Sequence, residues 1–131
     1  MSRRELRERI FKMLFRVEFH PESEMKEQLK VFLEENEPMD EEDENYIRQK
    51  YEAVKEKLTE IDENINAHTT GWKTDRMGKA ELTIIRLAVY EMLYDEDVPT
   101  SVAINEAVEL AKKYGTDEAP AFVNGVLAKI A

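Results

Sequence analysis

Residues 80–94 read AELTIIRLAVYEMLY, and the rest of the architecture is arranged around them. On a helix, Leu82, Ile84, Ile85, Leu87, Ala88, Val89, Met92 and Leu93 cover most of the circumference, which marks a central helix buried by others. The helical period continues toward the C-terminus. Asp95-Glu96-Asp97 and Pro99 form a turn, and Ile104, Ala107, Val108 and Ala111 define the next helix, for which Gly115 is a candidate left-handed C-cap. Asp117 is a candidate cap for the last helix, Pro120 suits its first turn, and Phe122, Val123, Val126, Leu127 and Ile130 point inward. Gly125 inside that helix costs roughly 1 kcal/mol relative to Ala, so a packing reason such as close approach of another helix is expected there.

Toward the N-terminus, residues 68–78 form a Thr- and Gly-rich break that holds the only Trp, Trp72. Ahead of it Ile47, Tyr51, Val54, Leu58, Ile61 and Ile65 alternate steps of four and three, the stripe of one long outer helix. Met25, Leu29, Phe32 and Leu33 mark a shorter helix. Leu6, Ile10, Met13, Leu14 and Val17 mark the first, with Ser2 and Glu5 placed for a capping box and His20-Pro21 as a stop. No segment reads as a strand. The expected fold is all-α, a compact bundle of six to seven helices in two small subdomains. It forms a single domain over residues 1–131, with halves near 1–68 and 78–131.

With 131 residues, 42% of them hydrophobic, the chain can close a core, and the absence of Cys excludes disulfides and thiolate chemistry. No apolar run approaches the roughly 20 residues of a membrane span, and the charged start does not resemble a signal peptide, so a cytoplasmic protein without membrane contact is expected. His20 and His68 are not spaced as a metal pair. The acidic run at 40–44 lacks the Gly of a calcium loop, having Asn45 at the sixth position, and there is no Gly-rich phosphate loop. Neither catalysis nor a cofactor or metal is expected.

The net charge of −10 is unevenly placed. Residues 1–17 hold six basic and two acidic side chains, whereas 18–66 hold six and 17. Screening limits each charge to roughly 8–10 Å, so a basic arm on an acidic body attracts phosphate locally. Helical projection groups Arg4, Arg7, Phe11 and Phe15 on one flank, with Arg9, Lys12 and Arg16 on the far side. Arginine supplies bidentate phosphate contacts, and an exposed ring stacks on an unpaired base. Two readings stand for Phe11 and Phe15: stacking platforms, or a widened core stripe. Phe122 likewise reads as core or as an exposed ring at its helix start, and Asn124 beside it needs a partner if buried.

Several blocks together resemble the NusB family of transcription antitermination factors over almost the whole chain. These are the arginine-rich first helix, Trp72 with Asp75-Arg76-Met77, IRLAVYE at 85–91, Val98-Pro99, AINEAVELAK at 103–112 and FVNGVL at 122–127. The resemblance implies an all-α fold and a non-catalytic adaptor that binds the single-stranded boxA element of nascent ribosomal RNA. It implies ribosomal protein NusE as partner, in a complex with NusA, NusG and RNA polymerase. By position it implies roles in RNA binding for Arg3, Arg4, Arg7, Phe15, Glu118 and Phe122 and in partner binding for Glu81; Lys12 and Asn124 are further candidate RNA contacts, and Arg76 joins Glu81 as a candidate NusE contact. Phe15 stands where many members carry Tyr, Glu118 where Asp is common, and Ala119 and Ala121 where polar or basic residues are common. A helical module that binds only protein is the alternative.

Overall fold

The computed structural model describes all 131 residues, which form seven α-helices, three short 3-10 turns and no strand. They divide into two compact units, Met1–Lys55 and Glu56–Ala131.

The first unit contains α1 (Arg3–Phe15), α2 (Met25–Glu35) and α3 (Glu41–Glu56), the first two linked by 3-10 turns at Arg16–Glu18 and Glu22–Glu24. The apolar stripes are buried as their spacing requires: Leu6, Ile10, Met13 and Leu14 from α1, Leu29, Phe32 and Leu33 from α2, and Ile47, Tyr51 and Val54 from α3. Val17, on the 3-10 turn, is half-buried. Tyr51 is 1% exposed, and its hydroxyl has no hydrogen-bond partner. Burial, reinforced by the carboxylates of Glu22 and Glu52, pushes the phenol up to about 12. An unfolded tyrosine titrates near 10. The folded protein therefore keeps its full stability below about pH 10 and loses this contribution as pH rises toward 12. Tyr51→Phe is expected to leave stability at pH 7 unchanged or raised, and to flatten the alkaline fall, in thermal melts at pH 7 and 11. A clear loss at pH 7 would mean that the hydroxyl is bonded.

The second unit contains α4 (Leu58–His68), α5 (Lys79–Tyr94), α6 (Thr100–Tyr114) and α7 (Ala119–Ile130), with a 3-10 turn at Thr74–Arg76. α5, α6 and α7 pack on one another, and α4 packs on α5 and α7. Leu82, Ile84, Ile85, Leu87, Ala88 and Val89 of α5 are buried, as its apolar belt predicts, while Leu93 at its end is exposed. Arg86 of α5 grips Asp62 of α4 with two charge-assisted bonds, 2.9 Å from Nε and 2.7 Å from a terminal nitrogen.

Four expectations need correction. The long outer helix is two helices, α3 and α4, broken at Lys57 with φ −100° and ψ 6°. The apolar spacing runs through the break without a Gly or Pro, so periodicity cannot show it. The division between the units accordingly falls at residues 55/56, ahead of α4, and not in the Thr- and Gly-rich stretch. Gly115 is not left-handed but extended, with φ −97° and ψ −177°. Space explains this glycine: a Cβ there would collide with the Ala119 methyl and lie 2.9 Å from the Ala111 carbonyl oxygen. Gly125 is exposed, and a Cβ there would meet nothing within 4 Å. No helix crosses closely at that point, so Gly125→Ala is expected to stabilise the protein by about 0.5–1 kcal/mol in denaturant unfolding.

Candidate nucleic-acid interface

In the first unit the candidate surface begins with the capping box. The Ser2 hydroxyl accepts from the Glu5 amide at 3.1 Å, and the Ser2 amide donates to the Glu5 carboxylate at 3.1 Å. Hydrogen bonding to its carboxylate, from the Ser2 backbone N–H first and the Ser2 side chain second, holds the Glu5 carboxyl below its usual range. Glu5 is thus committed to the helix end. Arg3 and Arg4 occupy the first turn and are exposed, and the Arg3 guanidinium carbon lies 4.9 Å over the Tyr46 ring centroid. Arg7 is half-buried, and both it and Arg4 make interactions within the protein. Lys12 is exposed, its ammonium 3.7 Å from Glu8. Such a surface pair contributes little and is easily exchanged.

Arg16 shows the opposite arrangement. Its nitrogens reach Glu35 at 3.0 Å and the Gln28 side chain at 3.1 Å, while its guanidinium carbon sits 5.1 Å over the Phe32 ring. It ties the end of α1 to α2. The ring question also resolves: Phe11 is 3% exposed and belongs to the core, and Phe15 is half-buried beside it with centroids 6.0 Å apart. The ring that reaches solvent is Phe19, 56% exposed and edge-on to Phe15 at 5.0 Å. Sequence reasoning passed over Phe19, although it continues Phe11 and Phe15 in steps of four.

In the second unit Trp72, Met77, Gly78, Glu81, Thr116, Glu118, Ala119 and Phe122 line a groove of about 310 Å³. Phe122, in the first turns of α7, is half-buried and meets Trp72 edge to face with centroids 5.8 Å apart. Trp72 is 55% exposed, so its indole is the main open ring of the groove. The signal for it was a lone Trp in a break that a core would not fill. Glu118, at the N-cap position of α7, is exposed on the rim. Glu81, half-buried at the third position of α5, folds back over the helix start. A Cβ on Gly78 would collide with its carboxylate, and one on Gly115 would lie 3.3 Å from it. Both glycines leave room for that carboxylate.

The groove thus joins Glu81, Glu118 and Phe122. Arg76, exposed on its 3-10 turn, and Asn124, exposed two residues beyond Phe122, do not line it. No set of three His, Asp or Glu residues is arranged to hold a metal ion. No helix is long and apolar enough to cross a membrane.

An all-helical chain with arginines at one helix start and an open aromatic groove is a binding module. More specifically, the chain belongs to the NusB family, whose model matches residues 4–131. It is 56% identical over 131 residues to transcription antitermination protein NusB of Agathobacter rectalis, covering all of both chains. T. maritima NusB superposes with a TM-score of 0.90 at 36% identity, covering 100% of this chain and 91% of that one. A structure of antitermination factors NusB and NusE in complex with dsRNA matches with a TM-score of 0.86 at 29% identity, over 98% and 94% of the two chains. The resemblance read from the AINEAVELAK and FVNGVL blocks is confirmed. The family is one of transcription antitermination factors, not enzymes.

Proposed function

We propose that this chain is a cytoplasmic adaptor that binds the single-stranded boxA element of nascent ribosomal RNA together with NusE, in an antitermination complex with NusA, NusG and RNA polymerase. The observation that carries this reading is the exposure of Arg3 and Arg4 at the start of α1, where the positive end of the helix dipole disfavours a cation. Arg4 also interacts within the protein and Arg3 stacks on Tyr46, and the exposed positive charge of the pair suits a polyanion. Arg7 and Lys12 continue the strip, and Phe15 borders it.

The groove of the second unit supplies the complementary chemistry. Phe122, with Trp72 against it, offers a ring face to one base, which a duplex would withhold. Glu118 on the rim repels phosphate and accepts from exocyclic amino groups, so a base enters while its backbone stays outside. Asn124, outside the groove, is left for the adjoining backbone. Arg76 and Glu81 are assigned to NusE. The NusB and NusE structure with dsRNA supports both partners in kind.

Trp72, as the only tryptophan, reports on the groove directly. Titration with a boxA-type single strand is expected to quench its fluorescence, a scrambled strand to do so less, and NusE to tighten the RNA complex. With few phosphate contacts the salt dependence is shallow, each contact adding about 0.7 to the slope. A chain that binds NusE but gains no RNA affinity would establish the protein-only alternative, for which the two groove carboxylates are the favouring feature.

A further inference from the structure

We propose that Tyr46 of α3 is the positioning residue that holds Arg3 ready for an RNA phosphate, an inference that rests on the RNA-binding reading above. Nothing in the sequence connects the two residues, which lie 43 positions apart on different helices. The structure joins them: the guanidinium carbon of Arg3 is 4.9 Å over the Tyr46 ring centroid. The same ring carries a second cation, the Lys50 ammonium, 5.8 Å away and one turn further along α3. Tyr46 is half-buried and Lys50 buried, while Arg3 is exposed.

A free arginine at a helix start samples many rotamers, and ordering it on binding costs affinity. A ring under the guanidinium removes much of that disorder beforehand. It does so through the face of the cation, leaving the in-plane N–H fork available for bidentate contact with phosphate oxygens. Arg16 shows what the same stacking looks like when the arginine is structural. Its face lies on Phe32, but its edge is taken up by Glu35 and Gln28. Arg3 makes the face contact, and no carboxylate of the protein pairs with its edge. The arrangement holds the side chain without consuming its donors.

The test is a set of RNA titrations with the full chain at two salt concentrations, using a boxA-type single strand as probe. Tyr46→Leu is expected to weaken binding about two- to fivefold, the scale of one exposed cation–π contact. Tyr46→Phe, which keeps the ring, restores wild-type affinity. Arg3→Ala alone weakens binding, and Tyr46→Leu added to it changes nothing further, the non-additivity that a residue acting through Arg3 must show. Melting curves of each variant confirm folding. The proposal is overturned if Tyr46→Leu binds like wild type, if Tyr46→Phe loses as much as Tyr46→Leu, or if the Arg3 and Tyr46 effects simply add. In each of those outcomes the RNA-binding reading survives. Absence of RNA binding by the wild-type chain, with or without NusE, removes both.

Discussion

Arg4→Glu combined with Arg7→Glu is expected to weaken binding of a boxA-type RNA roughly tenfold or more near physiological salt, and to lower the salt slope by about 1.4. Each arginine lost removes a charge-assisted contact, and each glutamate gained adds repulsion. Stability is expected to move the other way or hardly at all. Arg4 is exposed in the first turn of α1, where a carboxylate suits the positive end of the helix dipole and a guanidinium does not. Arg7 is half-buried, and both arginines interact within the protein, so their replacement offsets some of that gain. Loss of RNA binding with an unchanged melting temperature is the signature of residues kept for a ligand. Superimposable RNA titrations for variant and wild type would reject the role assigned to α1.

The second large effect is on stability alone. Leu87 lies in the middle of α5 and is fully buried, at 0% exposure. Leu87→Ala is expected to cost about 2–5 kcal/mol, the transfer energy of the lost carbons plus the cavity left among packed helices. Against a total of roughly 5–15 kcal/mol for a domain, that is a major fraction. Leu93 on the same helix is 44% exposed, and Leu93→Ala should change stability far less. Denaturant unfolding of the two variants checks this, and equal losses would show that α5 is not the buried axis of its unit.

What was legible in the sequence follows from what periodicity measures. It reports which face of a helix is apolar, so the belt of α5, the stripes of α1 and α2 and the capping box at Ser2 and Glu5 were all readable. It reports nothing about a helix that stops and restarts in phase, which hid the break at Lys57. By sequence Gly115 reads as a glycine of backbone freedom and Gly125 as one of close approach, yet Gly115 exists for lack of space and Gly125 has room to spare. The arginines were correctly placed on their helix, but periodicity did not show that Arg16 turns onto α2 while Arg3 rests on α3. Pairings between helices depend on how helices meet, which no single-helix projection contains. Trp72 was noticed for its rarity, and only its position against Phe122 gives it a part in the groove.

The carboxylate of Glu81, folded back over Gly78, also bears on how this chain can change over generations. An alanine at 78 meets an obstacle only while a long acid stands at 81; shorten that acid and the objection disappears. Position 78 is therefore expected to accept alanine without adjustment in lineages that have lost the glutamate, and in those that keep it only as that flexible carboxylate swings aside, a conditional tolerance readable in a suppressor screen.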